Sequence, residues 1–256
     1  MTVRIEQRPD AEHENRAPEK IQSTSSGAIG TVTGAVKDAA GGAIRAVKPR
    51  LRGWIHAFTA PLALAACIVL TVLAPGPALT WACAAYLACS LFLFANSGVY
   101  HISYGHWPRR VTAVLRRVDH ANIYLLIAGT YTPLSVALLD RGMTLLVLGI
   151  VWGGALAGII TSLAWQSAPR WLTTLFYILL GWVAIWFLPQ FWMTGGPAIV
   201  WLLVSGGVAY TVGGVVYARR WPDPDPRWFG FHEIFHTCTV AAWACQCTAC
   251  YLAVLG

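Results

Sequence analysis

Near the end of the chain, Phe231-His232-Glu233-Ile234-Phe235-His236 sets two histidines four residues apart. In a helix such residues lie one above the other on a single face, because each successive residue turns by about 100°. One helix can then offer a metal ion two imidazoles, and in soluble proteins His-Glu-x-x-His is a zinc-hydrolase signature. Five residues are few enough to arise by chance. The pattern gains meaning only if the chain brings a third ligand to the same place.

The elements that would have to do so are apolar. Hydrophobic residues make up 57% of the sequence and charged residues 11%, against about a quarter charged in an average protein. Six of the eleven acidic residues precede residue 39. These features describe an integral membrane protein with a polar N-terminal extension. The net charge of +7 then reflects basic loops rather than a nucleic-acid partner.

Residues 1–49 are expected to be a disordered or amphipathic cytoplasmic extension. They hold no apolar run long enough to span, and acids are scattered through their first twenty positions, so a cleaved signal peptide is not expected. Ile29, Val32, Val36, Ala40, Ile44 and Val47 recur at helical spacing, but five glycines between Gly27 and Gly42 weaken that helix. In residues 50–256, seven stretches approach the roughly 20 residues that cross a bilayer as a helix. They are 54–74, 79–103, 119–139, 143–164, 171–189, 197–217 and 231–254. The expected fold is all-α, a seven-transmembrane helix bundle. All seven cysteines lie inside apolar runs, which implies no disulfide framework and leaves Cys247-Thr248-Ala249-Cys250 as packing.

Loop charges orient the bundle. Twelve Arg and Lys residues, from Arg45 to Arg227, fall on one side of the predicted spans, against Arg141 alone on the other. The positive-inside rule puts the N-terminus in the cytoplasm and the C-terminus outside. With that orientation, derived from Arg and Lys alone, several polar groups share one depth. Ser97 and His101 lie on one face near the inner end of the second span, Asp119 begins the third, and His232 and His236 begin the seventh. Ionisable groups inside a membrane are costly and are functional candidates by default. Three imidazoles with one open position make a catalytic type of zinc site. The expected metal ligands are therefore His101, His232 and His236. Asp119 is expected to hold the metal-bound water and accept its proton, and Ser97 to hydrogen-bond that water or a substrate carbonyl.

Three ordered motifs carry a family resemblance: Ser97-Gly98-Val99-Tyr100-His101; Arg117-Val118-Asp119-His120 leading to Ala128-Gly129-Thr130-Tyr131-Thr132-Pro133; and Phe231 to His236. Together they resemble the signatures of the bacterial haemolysin III proteins, within the progestin and adiponectin receptor superfamily, which is similar in site to the alkaline ceramidases. The resemblance covers about residues 50–256 and implies seven helices, an inverted topology, and zinc held by three histidines with an aspartate bound through water. It implies a location in the bacterial cell membrane.

Glu233 would be the general base of a soluble zinc protease, but here it is expected to support the helix start or meet a loop arginine. His56 and His120 fall at the inner boundary, where histidines are usually hydrated. Thr130, Tyr131 and Thr132 read as capping around Pro133. Three functions follow as expectations: a zinc-dependent hydrolase of lipid amide or ester bonds with a membrane lipid as substrate; a pore-forming, cytolytic haemolysin; and a membrane-homeostasis or signalling protein in which zinc only fixes the bundle.

Overall fold

The computed structural model describes residues 49–165 and 167–256. The amphipathic stretch expected before residue 49 lies outside them. The described residues form helices and connecting turns, in the order α1 (Trp54–Leu73), α2 (Gly76–Ile102), α3 (Arg109–Leu138), α4 (Arg141–Ala164) and α5 (Arg170–Gly181). A 3₁₀ stretch (Trp182–Phe187), α6 (Leu188–Arg219) and α7 (Phe231–Leu255) complete the chain. Among the described residues, six helical segments are long and apolar enough to cross a membrane, and one of these is the continuous 50-residue run Arg170–Arg219. Their outer faces are oily: Phe58 is 68% exposed, Val72 76% and Trp186 79%. Such a surface would be an aggregation liability in water and is satisfied by lipid tails. The chain is a multi-pass integral membrane protein.

Helix boundaries depart from the hydropathy reading where charge or backbone geometry intervenes. Helix α3 starts at Arg109, directly after Pro108, ten residues before its apolar part begins at 119. Arginine is a good helix former, so the helix continues past the apolar layer. Asp119 therefore lies near the third turn, not at a helix start, and owes nothing to the dipole of a helix N-terminus. The expected fifth span is α5 continued by the 3₁₀ stretch. Within α6, Gly196 leaves the helical region with φ 79° and ψ 175°, a conformation open to glycine and strained for other residues. Beyond it the run doubles back. Trp182 Nε1 donates to Thr211 Oγ1 at 2.9 Å, and Gly214 packs on the Thr174 methyl.

Helix α3 is the most enclosed of the spans. Pro133 lacks an N–H and so deprives Gly129 O of its helical donor; the threonines expected to cap it bond back to other carbonyls of this helix. Thr130 and Thr132 donate to the carbonyls of Leu126 and Ala128 at 2.8 and 2.9 Å. The Tyr131 hydroxyl reaches the α5–3₁₀ junction, donating to Gly181 O at 2.7 Å and accepting from Ala184 N at 2.6 Å.

Two contacts hold the end of the bundle where α2 stops and α7 begins. The first is the approach of α1 to α2 at Gly98. A Cβ there would sit 3.1 Å from Ala57 Cα, so only glycine lets α1 press against the turn between Ser97 and His101. The second is at the start of α7. Glu233 is fully buried; its Oε2 accepts Gly230 N at 2.9 Å and its Oε1 accepts Arg52 Nε at 2.9 Å. The segment before α1 is further tied to the α6–α7 loop by Arg50 N donating to Arg227 O at 2.9 Å. Arg50 also stacks 4.7 Å over Trp228.

Gly98→Val should lower the thermal midpoint of the detergent-solubilised protein, at a cost of about 1–3 kcal/mol for overpacking; an unchanged midpoint would mean that α1 does not depend on this approach. Arg52→Ala removes one of the two partners of a buried carboxylate. It should destabilise by about 2 kcal/mol, the size of a hydrogen bond to a charged group, with partial recovery in Arg52→Lys, both read by circular-dichroism melting.

Candidate metal centre

Helices α2, α3 and α7 converge where the arginine-rich loops lie. His101 comes from the last turn of α2, and His232 and His236 come from the first two turns of α7. His101 and His236 are buried and His232 partly so. One ring nitrogen from each lies within 4.8 Å of the others. His232 Nε2 and His101 Nε2 stand 3.2 Å apart. Two imidazoles bound to one four-coordinate ion at about 2.0–2.1 Å would hold their nitrogens about 3.3 Å apart. The observed spacing fits that of two ligands on a shared cation, and the group can hold a metal ion.

Asp119 Oδ2 lies 3.5 Å from His101 Nε2, and Ser97 borders the same cavity as Asp119. All five residues singled out from sequence, Ser97, His101, Asp119, His232 and His236, thus meet in one place. Asp119 reaches it from inside α3, three turns further from Pro108 than a helix start would put it. Glu233 does not join them. Both of its carboxylate oxygens are occupied, one by a backbone N–H and one by a guanidinium, so the glutamate of the His-Glu-x-x-His pattern supports the helix start and meets a loop arginine at once.

Beneath the cluster opens a cavity of about 130 Å³. At its polar end it touches His56, Ser97, Asp119, His232 and His236. Further along, Leu93, Ile127, Leu134, Ile178 and Phe191 make its wall. Thr130 and Tyr131 also border this space. A polar group can therefore sit at the imidazoles while an apolar chain extends between the helices.

The hydrated boundary expected for His56 is not what the fold provides. His56 is 2% exposed and stacks on His236 with ring centroids 3.8 Å apart and planes 4° from parallel. The close approach of α1 at Gly98 carries it there, a tertiary effect invisible in a hydropathy plot. One signal did point to it: an ionisable residue within a span, at the same end as the other histidines. Tyr217 was also missed; its ring lies 5.6 Å from that of His232, with the Arg170 guanidinium 5.3 Å over its face. The seven cysteines are free thiols. Cys247 and Cys250 are buried in the core.

Comparison with known proteins agrees with the motifs. A family model described as haemolysin-III related matches residues 44–247. The chain is similar to the hemolysin-3 homolog of Bacillus subtilis (strain 168), 32% identical over 142 residues, which are 55% of this chain and 65% of that protein. It is also similar to hemolysin-3 of Bacillus cereus, 35% identical over 114 residues, 44% of this chain and 51% of that protein. The aligned part spans just under two thirds of the first relative and about half of the second. With a family model covering every helix that carries the imidazole cluster, the chain belongs to the haemolysin III family.

Proposed function

We propose that this protein is a zinc-dependent hydrolase of lipid amide or ester bonds, working within the bilayer from its cytoplasmic side. The observation that carries the reading is the meeting of three imidazoles, Asp119 and Ser97 at the mouth of an otherwise apolar cavity. An all-nitrogen donor set of three histidines suits zinc, and the nitrogen spacing matches its bond lengths. When bound, zinc supplies the Lewis acidity that makes water nucleophilic near neutral pH and offsets negative charge growing on a carbonyl oxygen.

The chain's own residues do the rest. Asp119 Oδ2 lies against the ligand cluster, where it can take the proton of the attacking water. The Ser97 hydroxyl, which borders the cavity with the same carboxylate, is placed to hydrogen-bond the attacking water or the substrate carbonyl. Leu93, Ile127 and Ile178 offer an acyl chain an apolar surface and keep bulk water from the reacting carbonyl. A lipid can reach this space sideways from the membrane, so no soluble binding domain is needed.

The same reading includes seven crossings, with the N-terminus cytoplasmic and the C-terminus outside. The 50-residue run Arg170–Arg219 would be about 75 Å long if straight, more than twice the roughly 30 Å of a bilayer core. The break at Gly196 and the side-by-side pairs Trp182–Thr211 and Thr174–Gly214 support two crossings. The bias of Arg and Lys toward one set of loops supports the orientation. A membrane-spanning conduit, the alternative that the relatives' names raise, has less support, because the ionisable lining gathers at one end and the rest of the wall is mostly apolar.

Reporter fusions after Thr194 and after Asp225 should report opposite sides of the membrane, the first outside and the second cytoplasmic; the same side for both would remove the seventh crossing. Purified protein should contain about one zinc per chain, and His236→Ala should lose most of it. Ceramide-like amides and phospholipids are the substrates to assay. Asp119→Asn should keep the metal yet lose at least about 100-fold in turnover, as removal of a general base does. Full activity in that variant would take Asp119 out of the mechanism, and no metal in the unaltered protein would end the zinc reading.

A further inference from the structure

A histidine that binds a metal through one ring nitrogen normally donates from the other to a carboxylate, carbonyl or water, and this bond fixes the ring plane. His236 lacks such a protein partner. Its Nδ1 is buried and meets no hydrogen-bonding group. What it has is the face of His56, parallel to within 4° at a centroid distance of 3.8 Å. The next nearest aromatic neighbours of His236 are tilted: His101 lies at 5.1 Å and 59°, and His232 at 4.6 Å and 56°. Among the described residues, only His56 presents a flat surface to it.

His56 in turn has little else to do. Neither of its nitrogens finds a hydrogen-bond partner. It is wedged in place by the edge of Phe94, at 5.2 Å and 82°. Phe94 is backed by Trp243 at 5.4 Å and 85°, whose Nε1 is tied to Ser90 Oγ at 3.1 Å. A buried histidine without hydrogen bonds is an expensive way to fill space, and an aliphatic side chain would pack more cheaply. A flat aromatic ring does something an aliphatic chain cannot. It confines its neighbour to one plane, and it favours a ring whose electrons a bound cation draws away.

We propose that His56 is a positioning residue for the metal centre: face-to-face contact with His56 holds the ring of His236 in its ligating plane, replacing the hydrogen bond that Nδ1 lacks. This rests on the metal-binding reading of the three histidines. It assigns a role to α1, which contributes no ligand, and it makes the glycine approach at Gly98 part of the metal site. The shape and flatness of the residue at position 56 matter here, more than its nitrogens.

The test uses full-length purified protein titrated with Co²⁺, whose visible absorption reports coordination geometry and whose affinity can be measured against a chelator. His56→Phe keeps a flat ring and removes both nitrogens. His56→Leu removes the ring. The expected result is that the Phe variant stays within about threefold of the unaltered affinity and keeps its absorption envelope. The Leu variant should lose about 10–100-fold, the range seen when a residue orienting a metal ligand is removed, with an altered envelope. If His56→Leu does not yield folded protein, His56→Gln takes its place with the same expected loss. An unchanged affinity and spectrum in the Leu or Gln variant overturns the proposal. Equal losses in the Phe and Leu variants also overturn it, since the nitrogens would then be what counts. No cobalt binding by the unaltered protein would instead sink the metal reading beneath it.

Discussion

Polar side chains are costly to leave unsatisfied in a layer without water, and the arginine-rich end of this bundle gathers its ionisable groups together. His101, Asp119, His232 and His236 each carry a group that lipid cannot solvate, and three different helices bring them together. The convergence of α2, α3 and α7 gives these groups one another as neighbours. The apolar faces contribute no comparable direction: lipid tails are as oily as leucine, so burial alone does not tell one membrane helix where to meet another. Close packing at Gly98 then brings α1 in behind the cluster.

The buried glutamate shows how context changes the chemistry of a pattern. In a soluble zinc hydrolase the glutamate of His-Glu-x-x-His is free to accept a proton. Here it stands at the third position of α7, where a carboxylate completes the helix N-terminus by accepting Gly230 N. Arg52 supplies the positive charge that allows it to be buried at all. Having both partners, it is poorly placed to act on anything else. Asp119 differs in each respect. It remains partly accessible, it borders the cavity, and its contact runs to a histidine of the cluster rather than to a fixed cation.

Much of this was legible in the residues themselves. The spans were, because their apolar runs match the bilayer thickness, and so were the three histidines, because ionisable groups in such runs stand out. The polar cluster could be assembled without coordinates because loop charges alone placed its members at a common depth. Three features escaped. The true start of α3 at Arg109 was hidden because hydropathy sees where lipid begins, and a helix of arginines extends past that point. The division of 170–219 into α5, a 3₁₀ turn and a broken α6 depends on backbone conformation at Gly196 and on the Tyr131 bridge, which sequence spacing does not express. His56 was read as a wet boundary residue because its burial arises from another helix, and a one-dimensional reading has no access to that.

The Tyr131 bridge also bears on what kind of interior this is. A 3₁₀ stretch at membrane depth leaves backbone groups without α-helical partners, and such groups must be met by protein or by water. Tyr131 meets two of them with one hydroxyl, at Gly181 and Ala184. Tyr177 and Trp182 make similar inward bonds, to His120 O and Thr211 Oγ1. These polar groups along the wall are engaged with the protein, whereas the hydroxyls of Thr174 and Tyr210, which also line it, are buried without a partner. A conduit for ions or water would need those dipoles turned toward its lumen. The tyrosine and tryptophan dipoles named above are instead engaged within the protein, so the imidazole end of the cavity gathers the ionisable partners for a ligand's polar atoms, while its apolar part meets a largely aliphatic and aromatic wall.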